Sequence, residues 1–487
     1  YNKMPTVLGA NSASDAYEVA NSMRFNNDDS AYMQFTPGSA SGNRKKWTWS
    51  GWIKRGHPAF DANADYHRFF CVDADVNNYI ITGFNVSGAF NVTAREGNTE
   101  VLKFETPGRM FRDHSAWYHI VMAYDSTQGT ARNRFRVYFN GVEDDRSLDT
   151  TPNQNVELAV LDAVEHNIGR DNHSATTYYY DGYMAEVALI DGTQYAADTF
   201  GKFNSDGVWI PIDFKDDVTF GTNGFYLEFK GTGTSANSSG VGADTSGETN
   251  HLTPTNLAAT DQCVDTCTNN FAVMNPHDIS TVGSVAQPTF SEGNTKLTRV
   301  ADSSARATFA LPEKGKWYFE VKYVSGLVDG YPQVFLTPNN TGDGQAVGWH
   351  TPSGSNYRAK NGGTTINNAF SDVPGTNDVV GFYVNMDDKI LIVHRQGSDN
   401  MGSGASSGID FSSTTFSSPF SSPGFYFIGY NSNANSTHNE FFNFGSPAFA
   451  LSSAVSDANG YGNFEYSPTL SGVNFYSICT KNIAEFG

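Results

Sequence analysis

The sequence predicts an all-β protein: two antiparallel β-sandwich domains joined by a flexible linker. Three observations carry this. The stretch Trp47-Thr48-Trp49-Ser50-Gly51-Trp52-Ile53-Lys54 alternates as a half-buried strand does, with Trp47, Trp49 and Ile53 on one face and Thr48 and Ser50 on the other. Gly51 can relax the register, so Trp52 is expected to turn inward through a bulge. Each tryptophan ring brings about 150–250 Å² of surface to bury. The same device returns at 316–323, where Trp317, Phe319, Val321 and Tyr323 share a face opposed by Lys316, Glu320 and Lys322. Finally, 14% aromatic residues and 47 glycines beside only 17% charged residues suit many short strands and tight turns rather than amphipathic helices.

At 487 residues the chain exceeds one core. The net charge of −20 repels phosphate backbones, and no basic stripe offsets it, which argues against nucleic acid as a partner. No run approaches the roughly 18 apolar residues of a membrane span, and no charged-then-apolar leader opens the sequence. Four cysteines are too few for a disulfide framework. Cys71 and Cys479 read as isolated core residues, whereas Cys263 and Cys267 either close a short loop or stay free.

Residues 1–16 read as a polar arm. Strand patterns follow at Met23–Phe25, 31–35, 68–72, 79–84, 89–94 and 101–104, separated by Asp- and Asn-rich loops. The nearly continuous apolar run 117–124 fits a strand buried on both faces. The alternating run 134–139 ends in Asn140-Gly141, the preferred residues of a two-residue hairpin turn. In the strand 183–190, Tyr183, Ala185, Val187 and Leu189 are expected on one side. Residues 231–249, rich in Gly, Ser and Thr, read as a flexible spacer whose only sizeable apolar residue is Val241.

Several motifs occur in a telling order: Trp49-Ser50-Gly51-Trp52-Ile53-Lys54, 115–121, 137–142, Ile168-Gly169-Arg170 and 180–187. This series resembles the laminin-G-like, concanavalin-A-type jelly roll over residues 17–230. The closing segments 200–203, 208–211 and 224–229 are similar to the version found in tailed-bacteriophage structural proteins, as is the inter-domain run Thr268-Asn269-Asn270-Phe271. The runs 315–321, 347–349, 378–387, 389–393, 425–430 and 442–445 resemble a SPRY domain over 288–450. Residues 231–287 then form the linker and inter-domain element. The tail 451–487 docks on the SPRY body or leads onward.

Hydrolases share the jelly-roll fold, but the paired carboxylates they need at Glu-x-Asp-x-x-Glu spacing do not occur. Glu186 lies in the comparable motif without a second carboxylate two positions on. Gly404-Ala405-Ser406-Ser407-Gly408 fits a nucleophile-elbow pattern in composition only, since no helix pattern follows it. No His-x-His or His-Glu-x-x-His grouping supports zinc hydrolysis. The sequence requires no cofactor, and Ca²⁺ is the one its loops suit. Asp61, Asn63 and Asp65, Asp73 and Asp75, and the loop residues Asp171 and Asp181 offer hard oxygens, or else simply cap their own turns. For ligand contact the candidates are Tyr178 and Tyr179, together with Tyr331, Trp349, His350 and Tyr357 in the SPRY loops, because stacked aromatics suit sugar faces and protein interfaces alike.

What the resemblance implies is a non-enzymatic bacteriophage virion surface protein: a tail fibre, adhesin or capsid appendage. Its expected partners are host cell-surface polysaccharide or protein and other virion proteins, with the particle surface as its location. A virion-associated polysaccharide depolymerase and a bacterial cell-surface adhesin are the alternatives. Fibres are commonly homo-oligomers, often trimers, but no heptad repeat enforces that here.

Overall fold

The computed structural model describes residues 17–38, 42–56, 66–146, 148–174, 177–281, 287–300, 303–325, 333–337, 347–350, 357–361, 364–370, 374–398, 408–411, 426–432 and 437–487. They form two units, one ending at Asn269 and the other running from Asn270 to Gly487. Both are antiparallel sandwiches. No helix among the described residues is long and apolar enough to cross a membrane.

In the first unit one sheet runs, in spatial order, Val142–Glu143, Phe135–Phe139, Trp117–Asp125, Lys46–Arg55, Gly182–Asp191, Ser22–Phe25 and Gln262–Cys263, with Phe225–Leu227 also paired to Gly182–Asp191. The facing sheet runs Thr253–Thr255, Tyr32–Phe35, Glu165–Ile168, His67–Asp75, Asn78–Phe84, Ala89–Glu96 and Thr99–Met110. Trp47, Trp49 and Ile53 enter the core between the sheets, as their alternation requires. Gly51 shares that inward face because the Trp49 ring lies over it; a Cβ there would sit 2.7 Å from the ring. The Asn140-Gly141 turn is a two-residue hairpin with both residues at positive φ.

Trp52 departs from expectation. The Lys46–Arg55 strand pairs with Trp117–Asp125 in unbroken register, so no bulge turns Trp52 inward. It stays on the outer face and is buried there, within a second apolar cluster that includes Trp117, Tyr183, Trp209, Phe214 and Tyr226. Residues from 195 to 267 supply the cover. The bulge occurs instead in Gly182–Asp191, between Ala185 and Ala188. Glu186 sits in it at a φ of +52°. The extra residue changes the phase of the strand, so Tyr183 and Ala185 face the outer cluster while Val187 and Leu189 face the inter-sheet core. The expected common face of these four residues is therefore split in two.

The 231–249 segment is also corrected. Its backbone closes on itself, with Gly233 N donating to Ser239 O at 2.9 Å and Val241 N to Gly233 O at 2.8 Å. Val241 is fully buried in the main core. Asp244 accepts from the backbone N–H groups of Tyr226, Ser246 and Asn250. The chain beyond then adds one strand to each sheet, Thr253–Thr255 to one and Gln262–Cys263 to the other. Small polar residues here build an ordered loop through hydrogen bonds, which composition alone does not distinguish from a spacer. The first unit thus extends to Asn269 rather than ending near 230.

That final stretch is tied in by buried charges. Lys54 Nζ lies 2.7 Å from Asp265 Oδ2, with both side chains at most 1% exposed. Trp117 Nε1 donates to Asp265 Oδ1 at 3.1 Å. Arg24 reaches Asp261 at 3.1 Å. Cys263 and Cys267 are buried thiols not joined in a disulfide, and so are Cys71 and Cys479. Cys263 Sγ instead takes a contact from Arg24 at 3.4 Å.

The second unit begins its sheets earlier than residue 288, with Met274–Thr281. That strand heads the sheet continued by Ser303–Leu311, Tyr426–Ser432, Gln333–Thr337, Val347–His350, Tyr357–Asn361 and Thr364–Phe370. The facing sheet centres on Lys316–Ser325, between Val379–Asn385 and Thr437–Asn443. Trp317, Phe319, Val321 and Tyr323 fill the core between them, as the alternation predicts. The opposite face is not solvated, however. Tyr318 and Tyr383 pack there against Phe464 and Phe475 of the C-terminal segment. Glu320 is fully buried and accepts from the backbone N–H groups of Glu465 at 3.0 Å and Tyr466 at 2.8 Å. The segment also adds Tyr476–Ser477 as a parallel strand beside Lys316–Ser325, so residues 451–487 dock on the body of this unit.

Candidate functional site

The seven-stranded sheet of the first unit carries an outer face on which alternation places Tyr32, Asp73, Tyr79, Glu165 and Asn167 on neighbouring strands. Registers confirm this: Asp73 lies opposite both Tyr79 and Glu165. Over this face comes the small hairpin of Arg170–Asp171 and Tyr178–Tyr179, in which Asp171 pairs with Tyr178. Gly169, at φ +87°, releases the chain from the Glu165–Ile168 strand into that hairpin; a Cβ there would meet the Phe25 ring at 2.7 Å.

The hairpin brings together Asp73, Asp171 and His173. One ligand-type atom from each lies within 4.8 Å of the others. His173 Nδ1 donates to Asp171 Oδ1 at 2.6 Å, and its ring stacks against Tyr79 with centroids 4.1 Å apart. Asp73 Oδ2 accepts from Asn167 Nδ2 at 2.8 Å and from Asn172 N at 3.1 Å. Asp73 Oδ1 and Asp171 Oδ2 are buried and, among the described residues, accept no hydrogen bond. The nearest cation to Asp171 Oδ2 is Arg68 Nε, at 3.8 Å. Burial first, and then the neighbouring Asp171 charge, push the Asp73 carboxyl up to about 7.

Tyrosines and arginines rim this group. Tyr178 meets Tyr66 edge-to-face at 5.2 Å, and Tyr179 lies 6.3 Å from Tyr32. The Arg68 guanidinium sits 4.5 Å over the Tyr66 ring and that of Arg170 3.7 Å over Tyr32. Tyr178 and Tyr179 are half-buried, while Tyr180 is fully buried in the core. The structure therefore unites two sets of predicted residues, Tyr178 and Tyr179 with Asp73 and Asp171. Asp75 does not join them: it is exposed and caps its own turn through Asn77 and Asn78. Asp181 is fully buried, its carbonyl accepting from Gly56 N, and lies outside the group. Asp61, Asn63, Asp65 and Tyr331 lie outside the described residues, as does the 404–407 part of the serine motif. Trp349 and His350 close the strand Val347–His350, and Tyr357 opens Tyr357–Asn361; their side chains are likewise outside the description. His173 escaped sequence reasoning because the search followed runs of hard-oxygen residues, and a single histidine two positions after Asp171 carries no such signal.

Two other polar groups superficially suit catalysis. Ser50 Oγ lies 2.9 Å from His119 Nε2, but Trp209 Nε1 points at His119 Nδ1 from 3.1 Å. An indole can only donate, so Nδ1 accepts and Nε2 carries the proton. The imidazole thus donates to Ser50 and cannot take its proton. Burial holds the ring neutral, with a pKa down at about 3. Glu186 Oε2 accepts from Tyr17 at 2.8 Å and, closely, from Tyr226; it is 5% exposed.

Burial raises the Glu186 carboxyl from 4.5 to about 7, although both tyrosine hydroxyls pull it back. The folded state therefore binds a proton more tightly than the unfolded chain. Its stabilising share is complete below pH 4.5 and declines as pH rises towards 7. Relative to Glu186→Gln, which stays neutral, the wild type is expected to lose up to about 3 kcal/mol across that window. Urea unfolding of both proteins at several pH values reads the difference; parallel curves would refute it.

Residues 27–199 match the family model described as the Concanavalin A-like lectin/glucanases superfamily. The first unit is a concanavalin A-like, laminin G-like sandwich. No curated protein matches the chain. Among solved structures, a heptameric SAP-like pentraxin from Limulus polyphemus is similar at 16% identity and TM-score 0.24, covering 37% of this chain and 80% of that one. The mouse laminin α1 LG4–5 pair is similar at 10% identity and TM-score 0.30, covering 98% and 92%. The SPRY domain of human HERC1 is similar at 8% identity and TM-score 0.26, covering 35% and 96%. The concanavalin A-like unit holds all of the site residues just described.

Proposed function

We propose that the concanavalin A-like unit binds glycan, and that the chain works as a non-enzymatic adhesive or structural component on the surface of a bacteriophage particle. One observation carries the binding half: a hairpin sets Tyr178 and Tyr179 beside Tyr32 and Tyr66, near one buried and one half-buried carboxylate and an imidazole. Flat rings bind the apolar faces of sugars, and carboxylates accept from their hydroxyls. Arg68 and Arg170, stacked on two of the tyrosines, hold those rings in place. The virion half rests on the resemblance of 200–229 and 268–271 to tailed-phage structural proteins. Host polysaccharide or a neighbouring virion subunit is the partner that this reading implies.

Retention of the purified chain on host-surface polysaccharides tests the binding half. Tyr178→Ala is expected to weaken retention by about tenfold, the loss of one stacking ring worth about 1–1.5 kcal/mol, while the unfolding midpoint stays near that of the wild type. Equal retention by the two proteins would overturn the assignment. Shortening of the polysaccharide would favour a depolymerase instead, a reading that the buried position of Glu186 and the direction of the Ser50–His119 hydrogen bond disfavour. Antibody labelling of purified particles tests the virion half; label confined to bacterial cells would favour a cell-surface adhesin.

A further inference from the structure

We propose that Asp73, Asp171 and His173 form a binding site for one borderline divalent cation of the Zn²⁺ class, in preference to Ca²⁺. The sequence suggested all-oxygen loops, which suit hard cations. The folded chain assembles a different donor set, two carboxylates and an imidazole, drawn from the strand His67–Asp75 and from the hairpin roughly a hundred positions later.

Three features point to a cation. First, ligand atoms from the three residues lie within 4.8 Å of one another. Tetrahedral ligands held about 2.0–2.2 Å from a metal lie about 3.3–3.6 Å apart, so side-chain shifts of up to about an ångström would close the set. Second, Asp171 is 1% exposed, and among the described residues neither its Oδ2 nor the buried Asp73 Oδ1 accepts a hydrogen bond. Buried carboxylate oxygens are seldom left without a donor or a cation. Third, the ion pair that reaches Asp171 Oδ2 among the described residues is longer than a hydrogen bond. Arg68 stands 3.8 Å from Asp171 Oδ2 and is also engaged elsewhere, donating to Asn91 Oδ1 at 2.8 Å and stacking on Tyr66. It can keep those contacts while a metal takes the carboxylate.

The imidazole decides the class of ion. Ca²⁺ and Mg²⁺ take oxygen ligands almost exclusively, whereas nitrogen suits Zn²⁺ and its neighbours in the first transition row. His173 Nδ1 donates to Asp171, so the neutral ring leaves a lone pair on Nε2. A metal held by all three residues takes the Nδ1 side, displacing the proton that Nδ1 now shares with Asp171, and leaves Nε2 to carry the ring's N–H. Three protein ligands leave at least one coordination position open to water or to a ligand oxygen.

The proposal stands apart from glycan binding, because metal uptake is measured without sugar. The full chain, stripped with chelator and dialysed, is titrated separately with Zn²⁺, Co²⁺ and Ca²⁺ by calorimetry, and the absorption spectrum of the Co²⁺ form is recorded. One equivalent of Zn²⁺ is expected, bound at least about tenfold more tightly than Ca²⁺, with visible Co²⁺ bands of an ordered nitrogen–oxygen site. His173→Gln, a change at a partly exposed side chain, is expected to abolish both the preference and the bands while the unfolding midpoint of the metal-free protein is retained. Asp171→Asn should remove stoichiometric uptake. Binding of Ca²⁺ as tight as Zn²⁺, absence of a stoichiometric Zn²⁺ site, or unchanged Zn²⁺ binding in His173→Gln would each overturn the proposal.

Discussion

Asp265→Ala is expected to destabilise the concanavalin A-like unit by about 3–5 kcal/mol, the usual cost of stranding one member of a buried ion pair. Lys54 would keep its charge in a pocket where both partners are at most 1% exposed. The Trp117 indole N–H would lose its acceptor as well. Because two charges are desolvated to make this pair, the pair itself need not be strongly stabilising. The double replacement Lys54→Met with Asp265→Leu is therefore expected to be less damaging than Asp265→Ala alone. Denaturant unfolding followed by tryptophan fluorescence would show the order. A single mutant within about 1 kcal/mol of wild type would mean that water reaches Lys54, contrary to the buried arrangement described above.

Glu320→Ala is expected to cost the second unit a comparable amount, about 2–6 kcal/mol, at roughly 1–3 kcal/mol for each of the two fully buried donors, Tyr318 and Asn443, whose bond to it is lost. The Glu320 carboxylate receives the Tyr318 hydroxyl at 2.9 Å, Asn443 Nδ2 at 3.0 Å and the two backbone N–H groups of Glu465 and Tyr466. Burial raises this carboxyl, while all four donors act in the other direction. The last two donors belong to the docked C-terminal segment, so its loosening should precede global unfolding. Limited proteolysis reads this directly: early cleavage within 451–475 in the variant, with the wild type resistant, is the expected result. Unchanged digestion would remove Glu320 as the clamp.

The architecture was legible because aromatic alternation is a strong periodic signal. Trp47, Trp49 and Ile53, and again Trp317, Phe319, Val321 and Tyr323, went inward as read. What failed was the other side of the same strands. Trp52, expected to turn inward through a bulge, and Glu320, read on the face opposed to the aromatics, are instead buried on outer faces, as are Lys54 and Tyr318, because remote segments return to cover them. Periodicity within one strand holds no information about such cover. The phase change at Glu186 was hidden for a related reason: a glutamate at positive φ is uncommon, and no glycine marks the bulge. The candidate site was half legible. Tyr178, Tyr179, Asp73 and Asp171 were each picked out, but in separate groups, and only the hairpin crossing of the sheet joined them to His173.

The return of residues 250–269 to both sheets sets the smallest piece of the chain that can stand alone. An excised fragment ending near 230 would keep Lys54 and Arg24 but discard Asp265 and Asp261. It would also expose the outer edges of the strands Ser22–Phe25 and Tyr32–Phe35, which Gln262–Cys263 and Thr253–Thr255 otherwise cover. Bare edges and stranded cations favour aggregation over folding. A fragment spanning 17–269 carries its own counter-charges and edge strands, and is the piece expected to fold alone for crystallisation, glycan screening and metal titration.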